Sequence, residues 1–226
     1  MRAHFDYSDF FDETLHPPVR GYLHLPRNPA GDALVIAHSA GSNARAPLLF
    51  SLAGTFSLAG MAVLRCDLPF RQNHPTGPPR PGEASRDRQG LRNAVIALQK
   101  LSTGRVFLGG HSYGGRQASM LSALEPDLAG GLLLLCYPLH PPRKPTQMRT
   151  QHLAKLHTPT FFVHGTRDPF GSISELEQAM KLIPARTKLV KVDGAGHDLN
   201  FAHAAKDVQK NHLPALILAA FQSFFS

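Results

Sequence analysis

Short unbroken apolar runs alternate along the chain with longer amphipathic ones. Ala33–His38 is short and rich in branched residues, which predicts a strand buried on both faces. Pro47–Leu58 then predicts a helix and Ala62–Cys66 a strand. Pro69–Gly82 is crowded with proline and glycine and predicts a loop. Ser85–Leu101 predicts a helix, with Leu91, Val95, Leu98 and Leu101 on one face and Arg86, Arg88 and Arg92 elsewhere. Arg105–Gly109 predicts a strand, Gly114–Leu124 a helix and Gly131–Cys136 a strand. Tyr137–His157 is a second proline-rich loop. Thr160–His164 predicts a strand, Ser172–Leu182 a helix and Thr187–Val192 a strand. Lys206–Phe225 predicts the last helix, interrupted or restarted at Pro214. Alternation over Val19–Leu25 predicts antiparallel edge strands toward the N-terminus.

Strand and helix alternating at this spacing imply an α/β fold: a mostly parallel twisted sheet with helices on both faces. No repeat or linker divides the 226 residues, so 1–226 reads as a single domain. Hydrophobic residues at 42% and charged residues at 18% exclude a disordered chain. Cys66 and Cys136 each end an apolar run and are expected to be reduced core thiols. Two cysteines supply neither a disulfide framework nor, alone, a tetrahedral zinc site. No apolar run approaches the roughly 20 residues of a spanning helix. The first residues lack the basic start and long apolar stretch of a secretory signal. A cytoplasmic protein without a membrane partner is expected.

The net charge of +8 invites a nucleic-acid reading. The basic residues are scattered, however, and around Arg65–Arg92 they are interrupted by Asp67, Glu83 and Asp87. No basic block interleaved with aromatics is present, so nucleic acid is not an expected partner. Arg71, Arg80, Arg116, Arg143 and Arg167 are candidates for the mouth of a site, most of them expected to be solvated or structural.

In an open parallel sheet, ligands bind beyond the carboxyl ends of the strands. The residues there are His38-Ser39-Ala40-Gly41, Gly110-His111-Ser112-Tyr113-Gly114, Thr166-Arg167-Asp168 and Gly194-Ala195-Gly196-His197-Asp198. Gly110–Gly114 matches G-x-S-x-G between a predicted strand and a predicted helix. Such a turn lifts the serine hydroxyl clear of the sheet, and side chains at the flanking glycines would collide. Serine is a weak nucleophile, so it needs a base, and the base needs an orienting carboxylate. The order Ser112, Asp168, His197 supplies all of them at three strand ends. Asp193 and Asp198 are rivals for the carboxylate, but direct neighbours of His197 rarely reach the far ring nitrogen. His203 and His212 are expected on or near the last helix. The oxyanion hole is expected from the Tyr113 N–H and from Ala40 or Ser39. The Tyr113 ring is a candidate lining residue, and His111 is expected to pack behind the turn. His38 is expected to brace its own loop by hydrogen bonds. His38, His111 and His164 all end strands, yet no carboxylate stands at ligand spacing on a helix, so no metal or other cofactor is expected.

On these motifs the chain, from about Val19 to Phe225, resembles the α/β-hydrolase superfamily. It is most similar to the dienelactone-hydrolase-like branch and to the small lid-less testis-expressed and NSL-complex-subunit-3-like hydrolases. The likeness rests on His38–Gly41, Arg65–Phe70, Gly109–Arg116, Tyr137–Pro142, Gly165–Phe170 and Gly196-His197. The motifs around Ser112, Asp168 and His197 are those of the superfamily, and the Tyr137-Pro138 segment and the Asp67 turn point to the narrower group. Ser39 stands where the group usually has a glycine after the oxyanion-loop histidine. The resemblance implies an α/β-hydrolase fold and a serine hydrolase. The site residues point to a small-molecule carboxylic ester, thioester or lactone as substrate, and a monomer or homodimer is expected. A silent binding scaffold on a hydrolase shell, and a peptidase or acyltransferase on the same residues, are the alternatives. Tyr137–His157 is too short for a helical cap domain, so an open site is expected.

Overall fold

Branched and aromatic residues at period two build the framework of this computed structural model, which describes residues 6–201 and 207–226. The strands are β1 (Ser8–Asp12), β2 (Val19–His24), β3 (Ala33–Ala37), β4 (Ala62–Asp67), β5 (Val106–His111), β6 (Leu132–Leu135), β7 (Thr160–Gly165) and β8 (Thr187–Val192). They form one sheet in the order β1-β2-β4-β3-β5-β6-β7-β8. β1 and β2 run antiparallel at one edge, and every pairing from β4 to β8 is parallel.

The helices are α1 (Pro47–Leu58), α2 (Pro69–Asn73), α3 (Ala84–Gln99), α4 (Tyr113–Leu124), α5 (Ile173–Met180) and α6 (Asp207–Phe225). Alternate residues of each central strand feed two cores. Val35, Leu64, Leu108, Leu134 and Phe162 pack beneath Leu91 and Val95 of α3, Ala118 and Leu121 of α4 and Leu176 of α5. Ile36, Val63, Phe107, Leu133 and Phe161 face Leu52 and Phe56 of α1 and Ile217, Phe221 and Phe225 of α6. A central strand buried on both faces needs no polar alternation, which is why these runs are continuously apolar.

The chain leaves β3 for β4 on one side and later returns to place β5 on the other. That reversal is the topological switch point, where loops diverge and leave a crevice. The loop after β3 and the turn after β5 flank it.

The structure departs from the sequence pattern in places. Pro69–Asn73 is a short helix inside the expected loop. Proline suits a first helical position, and Phe70 is buried, which draws this turn onto the core. Leu153–Lys155 forms a 3-10 turn in the second expected loop, anchored by buried Leu153. Leu101 lies beyond the end of α3 and is 51% exposed rather than on its apolar face. α6 continues through Pro214 without a break. Buried Leu213, Ile217, Phe221 and Phe224 hold the flanking turns and offset the lost hydrogen bond. Between β6 and β7 no cap domain intervenes. No helix among the described residues is long and apolar enough to cross a membrane.

Candidate active site

Ser112 sits at the junction of β5 and α4 with φ 51° and ψ −113°. A non-glycine residue rarely adopts this backbone, and the surrounding turn must hold it there. The Ser112 N–H donates to Leu135 O at 2.8 Å, and the Gly114 N–H donates to His38 O at 3.2 Å. A Cβ on Gly114 would lie 2.6 Å from His38 O, and one on Gly110 would lie 2.7 Å from Gly115 N. Glycine is therefore required at both positions for the helix to approach the sheet.

The structure brings Ser112, His197 and Asp168 into one hydrogen-bonded line. Ser112 Oγ is 2.7 Å from His197 Nε2. His197 Nδ1 is 2.8 and 2.9 Å from the two Asp168 oxygens. With Nδ1–H donating to the carboxylate, Nε2 is free to accept the serine proton. Burial alone would raise the Asp168 carboxyl, but the hydrogen bond and charge of His197, the Phe170 N–H and His164 together hold it below its ordinary value. It therefore stays ionised behind the imidazole. Asp193 and Asp198, the rival carboxylates, are placed elsewhere: Asp193 accepts from Thr166 Oγ1 at 3.2 Å, and Asp198 lies 3.7 Å from His111. His203 lies outside the described residues, and His212 is exposed on α6.

Neighbouring groups fix the histidine. The Phe170 ring stacks on His197 with centroids 4.1 Å apart. His111 Nε2 donates to His197 O at 2.7 Å, so its ring supports the loop that carries His197. His164 donates from Nε2 to Gly171 O at 2.8 Å and lies 3.6 Å from Asp168 Oδ2. Burial pushes both His111 and His164 down, which keeps them neutral.

The loop after β3 is held at several points. His38 Nδ1 donates to Ser39 O at 2.8 Å, and its Nε2 accepts the Leu68 N–H at 3.1 Å. Asp67 Oδ1 accepts the Ala44 N–H at 2.7 Å, and Arg65 Nη1 donates to Ala44 O at 2.6 Å. Arg71 donates to Ala40 O at 2.9 Å and Ser42 O at 2.7 Å, and to His74 O and Gly77 O of the proline-rich segment. With carbonyls held on this side, the N–H groups of Ser39, Ala40 and Tyr113 are given no acceptor by any described residue. Free N–H groups at a helix start and an adjoining loop can receive an oxyanion.

Sequence reasoning missed several of these residues. Arg71 is buried and clamps backbone carbonyls. Arg80, Arg143 and Arg167 are exposed, and Arg116 is partly exposed. The Tyr113 hydroxyl is engaged by Asp87 Oδ2 at 2.7 Å, and Asp87 also accepts the Phe70 N–H at 2.9 Å. Nothing local in the sequence signals the bond of Asp87 to Tyr113 or the stacking of Phe170 on His197, because both join residues far apart in the chain.

Cys66 is buried, and burial pushes its thiol up to about 12. Cys136, also buried, adopts φ 48° beside the carboxylate of Asp168, and burial followed by that charge keeps its thiol protonated. The structure does not gather His38, His111 and His164 as ligands. Among the described residues, only Cys136, His164 and Asp168 group their donor atoms, within 4.8 Å. A protonated thiol and a carboxylate already engaged by His197 fit a hydrogen-bonded support better than a cation site.

Solved structures share this architecture. A dienelactone hydrolase from Anabaena variabilis is 19% identical with a TM-score of 0.72, covering 96% of this chain and 99% of that one. Est1E from Butyrivibrio proteoclasticus, solved with ferulic acid bound, is 19% identical with a TM-score of 0.68, covering 89% and 95%. A lid-less α/β serine hydrolase from Xanthomonas campestris is 11% identical with a TM-score of 0.65, covering 97% and 96%. The alpha/beta hydrolase domain family model matches residues 30–225, most of the chain, and the chain belongs to that family.

Proposed function

We propose that the chain is a serine hydrolase that cleaves a carboxylic ester, thioester or lactone through an acyl-enzyme. The observation that carries this is the continuous line from Ser112 Oγ through His197 to Asp168 at the mouth of the switch-point crevice. Ser112 attacks the carbonyl carbon as His197 Nε2 takes its proton. The Asp168 carboxylate stabilises the imidazolium and keeps Nδ1 protonated. The Tyr113 N–H and a donor from Ala40 or Ser39 receive the developing oxyanion, each worth ~3 kcal/mol in the transition state. The imidazolium then protonates the departing alcohol, thiol or ring oxygen. Water, deprotonated by the same histidine, releases the acid and regenerates the serine.

The neighbour named as a dienelactone hydrolase supports the same reaction class. Turnover of short aryl esters tests the proposal. The wild type should release the phenol at a rate that Ser112→Ala reduces to the uncatalysed level. Turnover that survives in Ser112→Ala would remove the serine from the mechanism. No turnover by the folded wild type would favour the scaffold reading. Faster product formation with an added alcohol or amine acceptor would favour acyl transfer.

A further inference from the structure

The helix that begins behind Ser112 carries Tyr113, Arg116 and Gln117 on one face, since residues three and four apart align. Helical side chains lean toward the N-terminus, so the Arg116 stem leans back toward the end that holds Ser112. Two further arginines converge there. Arg88, from the early turns of α3, donates from Nη1 to Gln117 Oε1 at 3.0 Å. Arg149 comes from the loop after β6. Its N–H donates to Leu139 O at 2.7 Å, and its carbonyl accepts the Tyr137 hydroxyl at 2.9 Å. The next residue after Leu139, His140, donates its N–H to Phe170 O at 3.1 Å, and Phe170 is the ring stacked on His197. The loop that carries Arg149 therefore lies at the carboxyl end of the sheet, beside the ring stacked on His197, and the first turns of α3 and α4, with Arg88 and Arg116, start at that same end.

These cations lack anions. Arg88, Arg116 and Arg149 are each partly exposed, and none forms an ion pair with a described residue. The guanidiniums of Arg116 and Arg149 also make no hydrogen bond or ring contact with any described residue. Arg116 Nε is shielded from solvent without a partner, and so is Nε2 of the fully buried Gln117. Asp87, next to Arg88 in sequence, is already engaged by the Phe70 N–H and the Tyr113 hydroxyl. His152 adds no negative charge: its Nε2 lies 2.8 Å from Ser119 Oγ, and burial, then Arg116 and Arg88, push it down to about 4. Half-buried cations are normally paired, and an orphaned donor calls for an acceptor. A guanidinium fork matches a carboxylate or phosphate.

We infer that Arg88, Arg116 and Arg149 form a subsite for an anionic group of the substrate, a carboxylate or phosphate set back from the scissile carbonyl. The inference rests on the serine-hydrolase reading for its place in the reaction, but not for its binding chemistry. The full-length protein is assayed with p-nitrophenyl acetate and with mono-p-nitrophenyl succinate, with succinate and inorganic phosphate as competing anions. The anionic ester should be preferred at low salt, and added salt should erode the preference. The ratio of kcat/KM for anionic over neutral ester should fall about tenfold or more in Arg116→Gln and in Arg149→Gln, mainly through KM. Arg149→Lys should retain part of the preference. A ratio within about twofold of wild type in both glutamine variants overturns the subsite. Calorimetric titration of Ser112→Ala with inorganic phosphate and with succinate separates the two proposals and ranks the anions. Binding that Arg149→Gln abolishes, when the folded wild type turns over no ester, sustains the subsite and sinks the hydrolase reading. Ester turnover with no anion bound and no change in ratio sinks the subsite alone.

Discussion

At the scale of one residue, the proposed mechanism turns on Asp168. Its burial opposes ionisation, and the donors around it reverse that penalty. Asp168→Asn keeps the shape but offers His197 an amide, which favours the wrong tautomer. A fall in kcat of about 10⁴ is expected, with little change in KM. A loss below about tenfold in steady-state assays would show that the carboxylate does not orient the base. Ser112, Asp168 and His197 were legible in the sequence because each stands at a strand end in a fixed order. The groups that hold them were not. Phe170, Asp87 and His164 act through contacts that exist only after the loops have packed.

The element that matters most is the loop after β3. Strand propensity placed β3, β5 and β7 to within a residue or two, since a doubly buried strand writes itself as a continuous apolar run. The same reasoning read Pro69–Gly82 as loop, because proline and glycine dominate it, and missed α2. That helix carries Arg71, whose side chain links the loop after β3 to the proline-rich segment through backbone carbonyls. Carbonyl contacts leave no pattern in sequence. Lysine cannot span these acceptors with one ammonium. Arg71→Lys is expected to lower kcat for a neutral aryl ester about tenfold to 100-fold while KM moves little, as misaligned oxyanion donors would. In Arg71→Ala, added guanidinium should restore part of kcat. Equal losses in kcat and thermal stability with no rescue would mark the residue as structural only.

Across the whole molecule, burial holds several histidines neutral. His38, with no exposed surface, is pushed down to about 4 by burial, and His24 is pushed down to about 4 by burial and then Arg65. In the unfolded chain these rings titrate near 6.5. Between about pH 6.5 and pH 4 the unfolded state binds more protons, so stability rises with pH there and is complete above the unfolded value. His38 alone contributes roughly 3 kcal/mol across that window. Protonation would also cost the bond that its Nε2 accepts from Leu68. The urea midpoint should therefore fall progressively from pH 7 to pH 4.5, and His38→Gln should flatten the slope. A midpoint independent of pH in that range would mean that the rings titrate alike in both states.

Reaction with a fluorophosphonate, followed by peptide mass mapping, tests the central claim most directly. A stoichiometric phosphonate adduct on Ser112 is expected, absent in Ser112→Ala and strongly slowed in His197→Ala. No adduct on the folded wild type, or an adduct on a different serine, would contradict it.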